Sequence, residues 1–276
     1  MIQLEHVHFA YPAQGPSVQD VSFHIRKGEF VALLGANGAG KTTTVRLIDG
    51  LIRPTAGRVL IHGMDTATTS VSQRARMVGF LFQNPDRQIC KNTVREEILF
   101  GLKATRGEED ESRLQARTEE ILADFSFTGD EEPFSLSRGQ RQRVALASVL
   151  AIEPEILILD EPTTGLDYLE CCHIMDHIRR MNEEKQVTVV MVCHDMEVVL
   201  DYAQRALVMA GGKLLADGPV REIFRNNPVM ELASILPPQI IGLGQRLGGA
   251  FAEEDSPAGM AGAILAAAGK GGKRDE

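Results

Sequence analysis

A glycine-rich segment limits what this chain can fold into more than any other feature. Residues 35–42 read Gly-Ala-Asn-Gly-Ala-Gly-Lys-Thr and follow the apolar run Phe30–Leu34 directly. They match the pattern G-x-x-x-x-G-K-[ST], in which glycines let the backbone curl so that successive amide groups point at one centre. The helix that follows adds positive potential there, so the segment predicts a phosphate-binding loop between a strand and a helix.

Two side chains of this loop have separate predicted roles. Lys41 reaches the β- and γ-phosphates of ATP, and Thr42 holds Mg²⁺ through its hydroxyl. The candidate nucleotide-binding residues of the segment are Gly35, Ala36, Asn37, Gly38, Ala39, Gly40, Lys41, Thr42 and Thr43. The alternative is a glycine-rich turn that carries a lysine by chance.

The rest of the sequence predicts an α/β fold. Short, aliphatic runs bounded by polar residues are typical of buried strands, and they occur at Glu29–Leu34, Met77–Phe82, Ile156–Leu159 and Val187–Val192. Helical patterns between them predict a sheet covered by helices, with members at Lys41–Leu51, Thr93–Ala104, Arg138–Ile152, Leu169–Glu183 and Met196–Tyr202. Residues 93–152 show no convincing strand and predict an inserted helical subdomain.

Two carboxylates end the strand at Ile156–Leu159. Burying Asp160 and Glu161 there is costly unless a cation or a substrate occupies the same site. We expect Asp160 to bind Mg²⁺, directly or through water, and Glu161 to orient or deprotonate the water that attacks the γ-phosphate. His194 ends another predicted strand and is expected to hydrogen-bond the γ-phosphate; a structural histidine is the alternative.

Residues Leu136-Ser137-Arg138-Gly139-Gln140 precede an apolar helix. Ser137 and Gln140 form a predicted capping box, which marks a helix start. The same segment resembles the signature of ATP-binding-cassette (ABC) proteins, usually Leu-Ser-Gly-Gly-Gln. Arg138 replaces the first glycine, but the first helical position has an ordinary helical φ and permits a side chain, so we expect binding to survive.

The resemblance extends from Met1 to about Gly218 and implies a P-loop ATPase cassette with a RecA-like core sheet. It also implies a head-to-tail dimer in which the signature residues Ser137, Gly139 and Gln140 of one subunit cover the ATP held by a second ABC subunit. By the same resemblance, Tyr11 stacks on adenine and Gly165-Leu166-Asp167 lies at the dimer seam. Gln83 links the γ-phosphate site to a membrane partner and joins Thr42 and Asp160 as a candidate Mg²⁺ ligand.

The segment Leu81–Gln88 resembles the ATPases of energy-coupling-factor transporters, which serve uptake of vitamins and of cobalt or nickel ions. This resemblance implies a membrane-embedded coupling subunit, a substrate-binding membrane subunit and a position at the cytoplasmic face of the membrane. It also implies a short helical extension at 219–252 that helps to pair the subunits. Gly, Ala and charged residues dominate from Glu253 to Glu276 and predict a loosely ordered tail, with a weak helix at Met260–Ala268 as the alternative.

Net charge and hydrophobicity exclude two further classes of function. The formal net charge of -9 argues against a broad nucleic-acid-binding surface, so no nucleic-acid partner is expected. No apolar run approaches the ~20 residues of a membrane span, so membrane attachment is expected only through a partner.

A soluble ABC-class ATPase is the alternative to a transporter subunit. His173 and His177 lie four residues apart, but without a nearby carboxylate at matching spacing they predict a solvated helix face rather than a metal site.

Overall fold

The computed structural model describes residues 1–12, 15–106 and 110–271. Its strands are β1 Ile2–Tyr11, β2 Gly15–Ile25, β3 Phe30–Leu34, β4 Ala56–Ile61, β5 Met64–Asp65, β6 Val78–Leu81, β7 Ile156–Asp160, β8 Thr188–Val192, β9 Arg205–Ala210 and β10 Lys213–Pro219. Its helices are α1 Lys41–Asp49, α2 Val71–Ala75, α3 Val94–Arg106, α4 Glu111–Asp124, α5 Arg138–Ala151, α6 Tyr168–Lys185, α7 Met196–Tyr202, α8 Val220–Arg225, α9 Asn227–Leu232, α10 Gln239–Leu247 and α11 Pro257–Gly271.

A six-stranded sheet forms the centre of the molecule, in the order β10-β9-β3-β8-β7-β6. Its strands are parallel except β10, which runs antiparallel to β9. Every residue of β3, β7 and β8 is buried, because apolar layers cover both faces of the sheet. On β3, Phe30 and Leu34 join one apolar cluster and Val31 joins the other. The predicted α/β class is therefore confirmed.

A second sheet covers one face of the first. It is antiparallel, with the order β2-β1-β4-β5, and its apolar side chains share a core with α1 and the central sheet. Helix α1 contributes Val45, Leu47 and Ile48 to this core. The phosphate-loop helix is therefore held between two sheets, which fixes the direction of its N-terminus.

Helices cover the opposite face. In the described residues between β6 and β7 there are α3, α4, α5, two short 3₁₀ helices (Pro85–Arg87 and Pro133–Ser135) and no strand. This matches the helical pattern expected over 93–152, and Ile98, Leu122 and Leu146 are among the residues that join these helices to the core. The assignment of domain boundaries to residues 1–218, 219–252 and 253–276 stays a prediction.

The C-terminal part follows the alternative that the sequence offered. Residues 257–271 form α11, which includes the helix at Met260–Ala268, whereas the first expectation was a loosely ordered tail from Glu253. Met260 is buried, and salt bridges join Arg221 to Asp255 and Arg225 to Glu253. These contacts explain why a segment rich in Gly and Ala is helical here. Residues 272–276 of the predicted tail lie outside the described residues.

Candidate functional site

The predicted site residues follow strands whose carboxyl ends meet at one edge of the central sheet. The phosphate loop follows β3, Gln83 follows β6, Asp160 ends β7, and His194 follows β8. Because β3, β8, β7 and β6 are adjacent and parallel, their carboxyl ends lie side by side, and this alone brings the residues together. The strand order β3-β8-β7 explains why the elements holding Lys41 and Glu161 flank the one holding His194.

Steric contacts explain why two positions of the phosphate loop are glycine. Gly40 has a φ of 102°, and a Cβ atom added there would lie 2.4 Å from the Ser17 carbonyl oxygen. A Cβ on Gly35 would lie 2.3 Å from the Met209 carbonyl oxygen. Any side chain at either position would therefore push the loop away from β2 and β9 and turn its amide groups off the common centre.

Lys41 lies beneath this loop and is only 5% exposed. Its Nζ donates hydrogen bonds to the carbonyl oxygens of Gly35, at 2.7 Å, and Ala36, at 2.9 Å. Burial lowers the pKa of Lys41, while the carboxylates of Glu161 and Asp160 act in the opposite direction. The ammonium group is thus partly desolvated and aimed into the loop, where phosphate oxygens would give it stronger, charge-assisted partners than carbonyl groups do.

Asp160 is 2% exposed, and its Oδ1 accepts a long hydrogen bond of 3.4 Å from the Thr42 hydroxyl. Burial raises the pKa of Asp160, the charge of Glu161 raises it further, and the bond from Thr42 opposes both. A buried carboxylate beside a hydroxyl and a second carboxylate fits Mg²⁺, a hard cation that takes oxygen ligands. Asp160 and Thr42 are the residues that would hold the ion, and Gln83, the third candidate ligand, lines the same pocket as Thr42.

The Asp160→Asn variant tests the Mg²⁺-binding role of Asp160 and, separately, the effect of its buried charge on the stability of the fold. Because the folded pKa is raised, the stability that the acid contributes is present at low pH and is lost as the pH rises through the folded value. We therefore expect the nucleotide-free variant to melt a few degrees higher than the wild type at neutral pH, and to lose the extra stabilisation given by Mg·ATP. Thermal melting with ATP plus Mg²⁺ and with ATP plus EDTA measures both effects. A lower melting temperature of the nucleotide-free variant would contradict the inference that the buried charge of Asp160 destabilises the fold.

Glu161 and His194 are in direct contact. The Nε2 atom of His194 lies 3.0 Å from Oε1 of Glu161, and the Thr164 hydroxyl donates to Oε2 at 3.3 Å. Glu161 has a φ of 56°, unusual for a non-glycine residue, and its backbone N–H donates to the Val192 carbonyl oxygen at 2.9 Å. Such backbone conformations store strain and cluster at functional sites. Thr164 was not a sequence candidate, although its position three residues after Glu161 places it in reach.

One pocket of about 380 Å³ contains most of the predicted residues. Its lining comprises Tyr11, Pro16, Ser17, Asn37, Gly38, Gly40, Lys41, Thr42, Thr43, Gln83, Glu161 and His194. Tyr11 ends β1, and its ring forms a T-shaped pair with that of Phe9, with centroids 4.8 Å apart. The pocket thus combines an aromatic ring with a phosphate loop and a carboxylate–imidazole pair. Pro16 and Ser17 were missed because no local sequence pattern marks them.

The signature segment lies outside this pocket. Ser137 caps α5 as predicted: its hydroxyl accepts from the Gln140 N–H at 3.2 Å, and Gln140 Oε1 accepts from the Ser137 N–H at 3.0 Å. A Cβ atom on Gly139 would lie 2.7 Å from the Gly165 carbonyl oxygen. Arg138 is the first residue of α5, as the sequence predicts, and Asp167 caps α6 rather than lining the pocket.

Charged and polar side chains of α5 and α6 contact neighbouring elements. Arg141 and Arg143 form salt bridges with Asp86, at 2.7 Å, and Glu170, at 3.4 Å. His173 is exposed as predicted, whereas His177 is partly buried: its ring centroid lies 5.8 Å from that of Phe125, and burial lowers its pKa. Phe125 follows α4, so this is a tertiary contact that the spacing within α6 cannot show.

The sheet, the loop and the paired carboxylates define a P-loop nucleotide-binding cassette. Residues 18–164 match the protein-family model described as ABC transporter. Over 249 residues the chain is 38% identical to a protein of Clostridium acetobutylicum with the provisional name ABC transporter ATP-binding protein, covering 89% of this chain and 88% of that one. The chain therefore belongs to the ABC transporter family and carries its ATPase cassette, an ATP-hydrolysing domain.

Other relatives are longer than this chain. A protein of Caldanaerobacter subterraneus with the same provisional name is 41% identical over 253 residues, which cover 91% of this chain and 44% of the relative. The chain thus spans less than half the length of that relative.

Two solved structures share the fold. The dimeric ATP-binding cassette MJ0796, in a post-hydrolysis state bound to ADP and Pi, has a TM-score of 0.73 at 30% identity and covers 80% of this chain and 99% of its own. The cbiO1 protein of Clostridium perfringens, part of the ABC transporter complex cbiONQ, has a TM-score of 0.72 at 30% identity and covers 83% and 92%.

Proposed function

We propose that this chain is the ATP-binding and ATP-hydrolysing subunit of a membrane transport complex that takes up a vitamin or a transition-metal ion. The observation that carries the proposal is the convergence of Lys41, Gln83, Glu161 and His194 on one pocket. This set combines phosphate binding and a candidate base with the glutamine that the family resemblance links to a membrane partner.

The pocket residues divide the work of hydrolysis. The loop amides and Lys41 bind the β- and γ-phosphates, which replace the carbonyl partners of Nζ. Thr42 and Asp160, with Gln83 as the third candidate ligand, would hold Mg²⁺, which would neutralise part of the phosphate charge. Glu161 orients or deprotonates the attacking water, and His194 holds the Glu161 carboxylate and contacts the γ-phosphate.

The position of the signature segment supports a dimer. Ser137, Gly139 and Gln140 do not line the pocket of their own chain, and Gly139 packs closely on Gly165 instead. A capped helix start carries free amide groups that bind anions well. We therefore propose that these residues, with Asp167 at the seam, complete the site of a second ABC subunit, identical or related. ATP favours the closed dimer because it binds that state more tightly than the open one.

Two observations support attachment to membrane subunits. The neighbour cbiO1 is part of the transporter complex cbiONQ, and the segment Leu81–Gln88 resembles energy-coupling-factor ATPases. Among the described residues, no helix combines the length and hydrophobicity needed to cross a bilayer. We propose a peripheral position on the cytoplasmic face, held by a membrane-embedded coupling subunit that also contacts a substrate-binding membrane subunit.

Co-purification and uptake test this function. The tagged chain, expressed with the membrane proteins encoded beside it, is expected to co-purify in detergent with a hydrophobic coupling subunit. Reconstituted in liposomes with ATP, the complex is expected to accumulate labelled vitamin, cobalt or nickel ion. A Lys41→Ala complex is the control and is expected to assemble without accumulating solute. ATP hydrolysis by a chain that binds none of these membrane proteins would support the soluble ATPase instead.

A further inference from the structure

Helix α10 begins without a cap of its own. It starts at Gln239, and Pro238, the residue before it, has no side chain that can accept a hydrogen bond from the first-turn amides. The first amides of any helix have no intrahelical acceptor, and the helix dipole adds positive charge at that end. A helix start of this kind is stabilised when another part of the chain supplies an acceptor.

Glu197 supplies this acceptor from a different element. Its Oε1 accepts a hydrogen bond of 2.7 Å from the backbone N–H of Gln239, 42 positions later in the chain. Glu197 is itself held in place, because Asp195 Oδ1 accepts from its backbone N–H at 3.0 Å and from that of Val198 at 3.3 Å. A carboxylate on a helix N-terminus makes a charge-assisted bond, stronger than a bond between neutral groups.

The turn that carries Glu197 also carries His194. His194 is followed by Asp195, the N-cap of α7, and Glu197 lies in the first turn of that helix. On the other side, Nε2 of His194 contacts Glu161 at 3.0 Å. A continuous chain of contacts therefore runs from the start of α10, through the first turn of α7, to the candidate catalytic base.

The segment before α10 and the residues around Glu161 line one cavity. This cavity, of about 890 Å³, is lined by residues 234–239, by Glu197, and by Asn37, Glu161 and His194. These last three residues also line the nucleotide pocket, so the two cavities meet at the predicted γ-phosphate position. Buried Met230 and Ile241 anchor the segment at either end.

We propose that Glu197 is a positioning residue for ATP hydrolysis, because its bond to Gln239 fixes the turn that holds His194 against Glu161. The inference rests on the proposed ATPase function and deepens it by adding α10 to the machinery that sets turnover. Glu197 acts through His194 and not on the nucleotide. Its loss is therefore expected to lower kcat with little change in the KM for ATP.

Two variants remove the same hydrogen bond from opposite sides. Glu197→Ala deletes the acceptor. Gln239→Pro deletes the N–H donor at the first helical position, which favours proline, and Pro238 has the extended ψ of 144° that a residue before proline requires. Glu197→Gln keeps an acceptor oxygen without the charge. Glu222→Ala, at an exposed glutamate in α8, is the matched control.

Steady-state ATPase assays on the full chain test the positioning role of Glu197. We expect Glu197→Ala and Gln239→Pro each to lower kcat roughly tenfold at nearly constant KM, because a misplacement of about 1 Å can cost about 10²-fold and we expect a smaller shift here. The double variant is expected to be no slower than either single one, because all three lack one bond. Glu197→Gln should be faster than Glu197→Ala but slower than the wild type. Glu222→Ala should keep the wild-type rate.

Single variants within twofold of wild type, or effects that multiply in the double variant, would overturn the positioning role. A change confined to KM would overturn it as well. Glu161→Gln assayed in parallel separates the two levels: if it abolishes turnover while the Glu197 and Gln239 variants behave as wild type, the ATPase function stands and this inference fails.

Discussion

Glu161→Gln is expected to hydrolyse ATP about a thousandfold more slowly than the wild type while binding ATP with the same affinity. The amide keeps the shape of the carboxylate and an oxygen that can accept the hydrogen bond from His194, but it cannot take a proton from water. General bases contribute about 10²–10⁴-fold to rates. Phosphate release measures turnover, and equilibrium titration with a fluorescent ATP analogue measures binding. With ATP bound and uncleaved, the variant is also expected to elute as a stable dimer.

The control for this variant is Glu184→Gln, which makes the same change at an exposed glutamate of α6 that does not line the nucleotide pocket. It should hydrolyse ATP at the wild-type rate. A Glu161→Gln protein that turns over within tenfold of the wild type would show that the base lies elsewhere. Loss of ATP binding in this variant would assign Glu161 to binding rather than to the chemical step.

Lys41→Ala is expected to weaken ATP binding by about a hundredfold or more. The variant removes a buried ammonium group aimed into the loop, and each hydrogen bond from a charged group to the phosphates contributes about 1.5–3 kcal/mol. The carboxylates of Asp160 and Glu161 would then face the γ-phosphate without the nearby cation that now offsets them. Isothermal titration with Mg·ATP measures the change directly.

Lys27→Ala is the matched control for Lys41. Lys27 is exposed and precedes β3, whereas Lys41 follows the carboxyl end of the same strand. The control variant should bind ATP as the wild type does, which shows that the effect depends on position and not on net charge. Equal weakening by both substitutions would mean that general electrostatic attraction, rather than a bond in the loop, sets the affinity.

Local patterns predicted the elements that build the site. Fully buried parallel strands are short apolar runs, so β3, β7 and β8 lie within a residue or two of their predicted bounds. Capping boxes and phosphate loops are also local, and Ser137 and Lys41 have the predicted environments. The family resemblance added Tyr11 and Gln83, which line the pocket together with these residues.

Features that depend on distant pairing were not predictable in the same way. The alternation of polar and apolar residues in β1 fits a half-buried strand, but nothing local shows that it pairs with β2 and β4. The bond from Gln239 to Glu197 joins residues 42 positions apart. Helix α11 was expected only as the alternative to a loose tail, because of its composition, and contacts to α8 through Asp255 and Glu253 precede it. Tertiary contacts decide each of these cases.

A structure of the Glu161→Gln protein with ATP and Mg²⁺ would show whether the loop at 35–42 is the nucleotide site. We expect a triphosphate inside this loop, Nζ of Lys41 in contact with the β- and γ-phosphates, and Mg²⁺ between the γ-phosphate, the Thr42 hydroxyl and the Asp160 carboxylate. Density for the nucleotide away from this loop, or a metal ion that contacts neither Thr42 nor Asp160 directly or through water, would contradict this expectation.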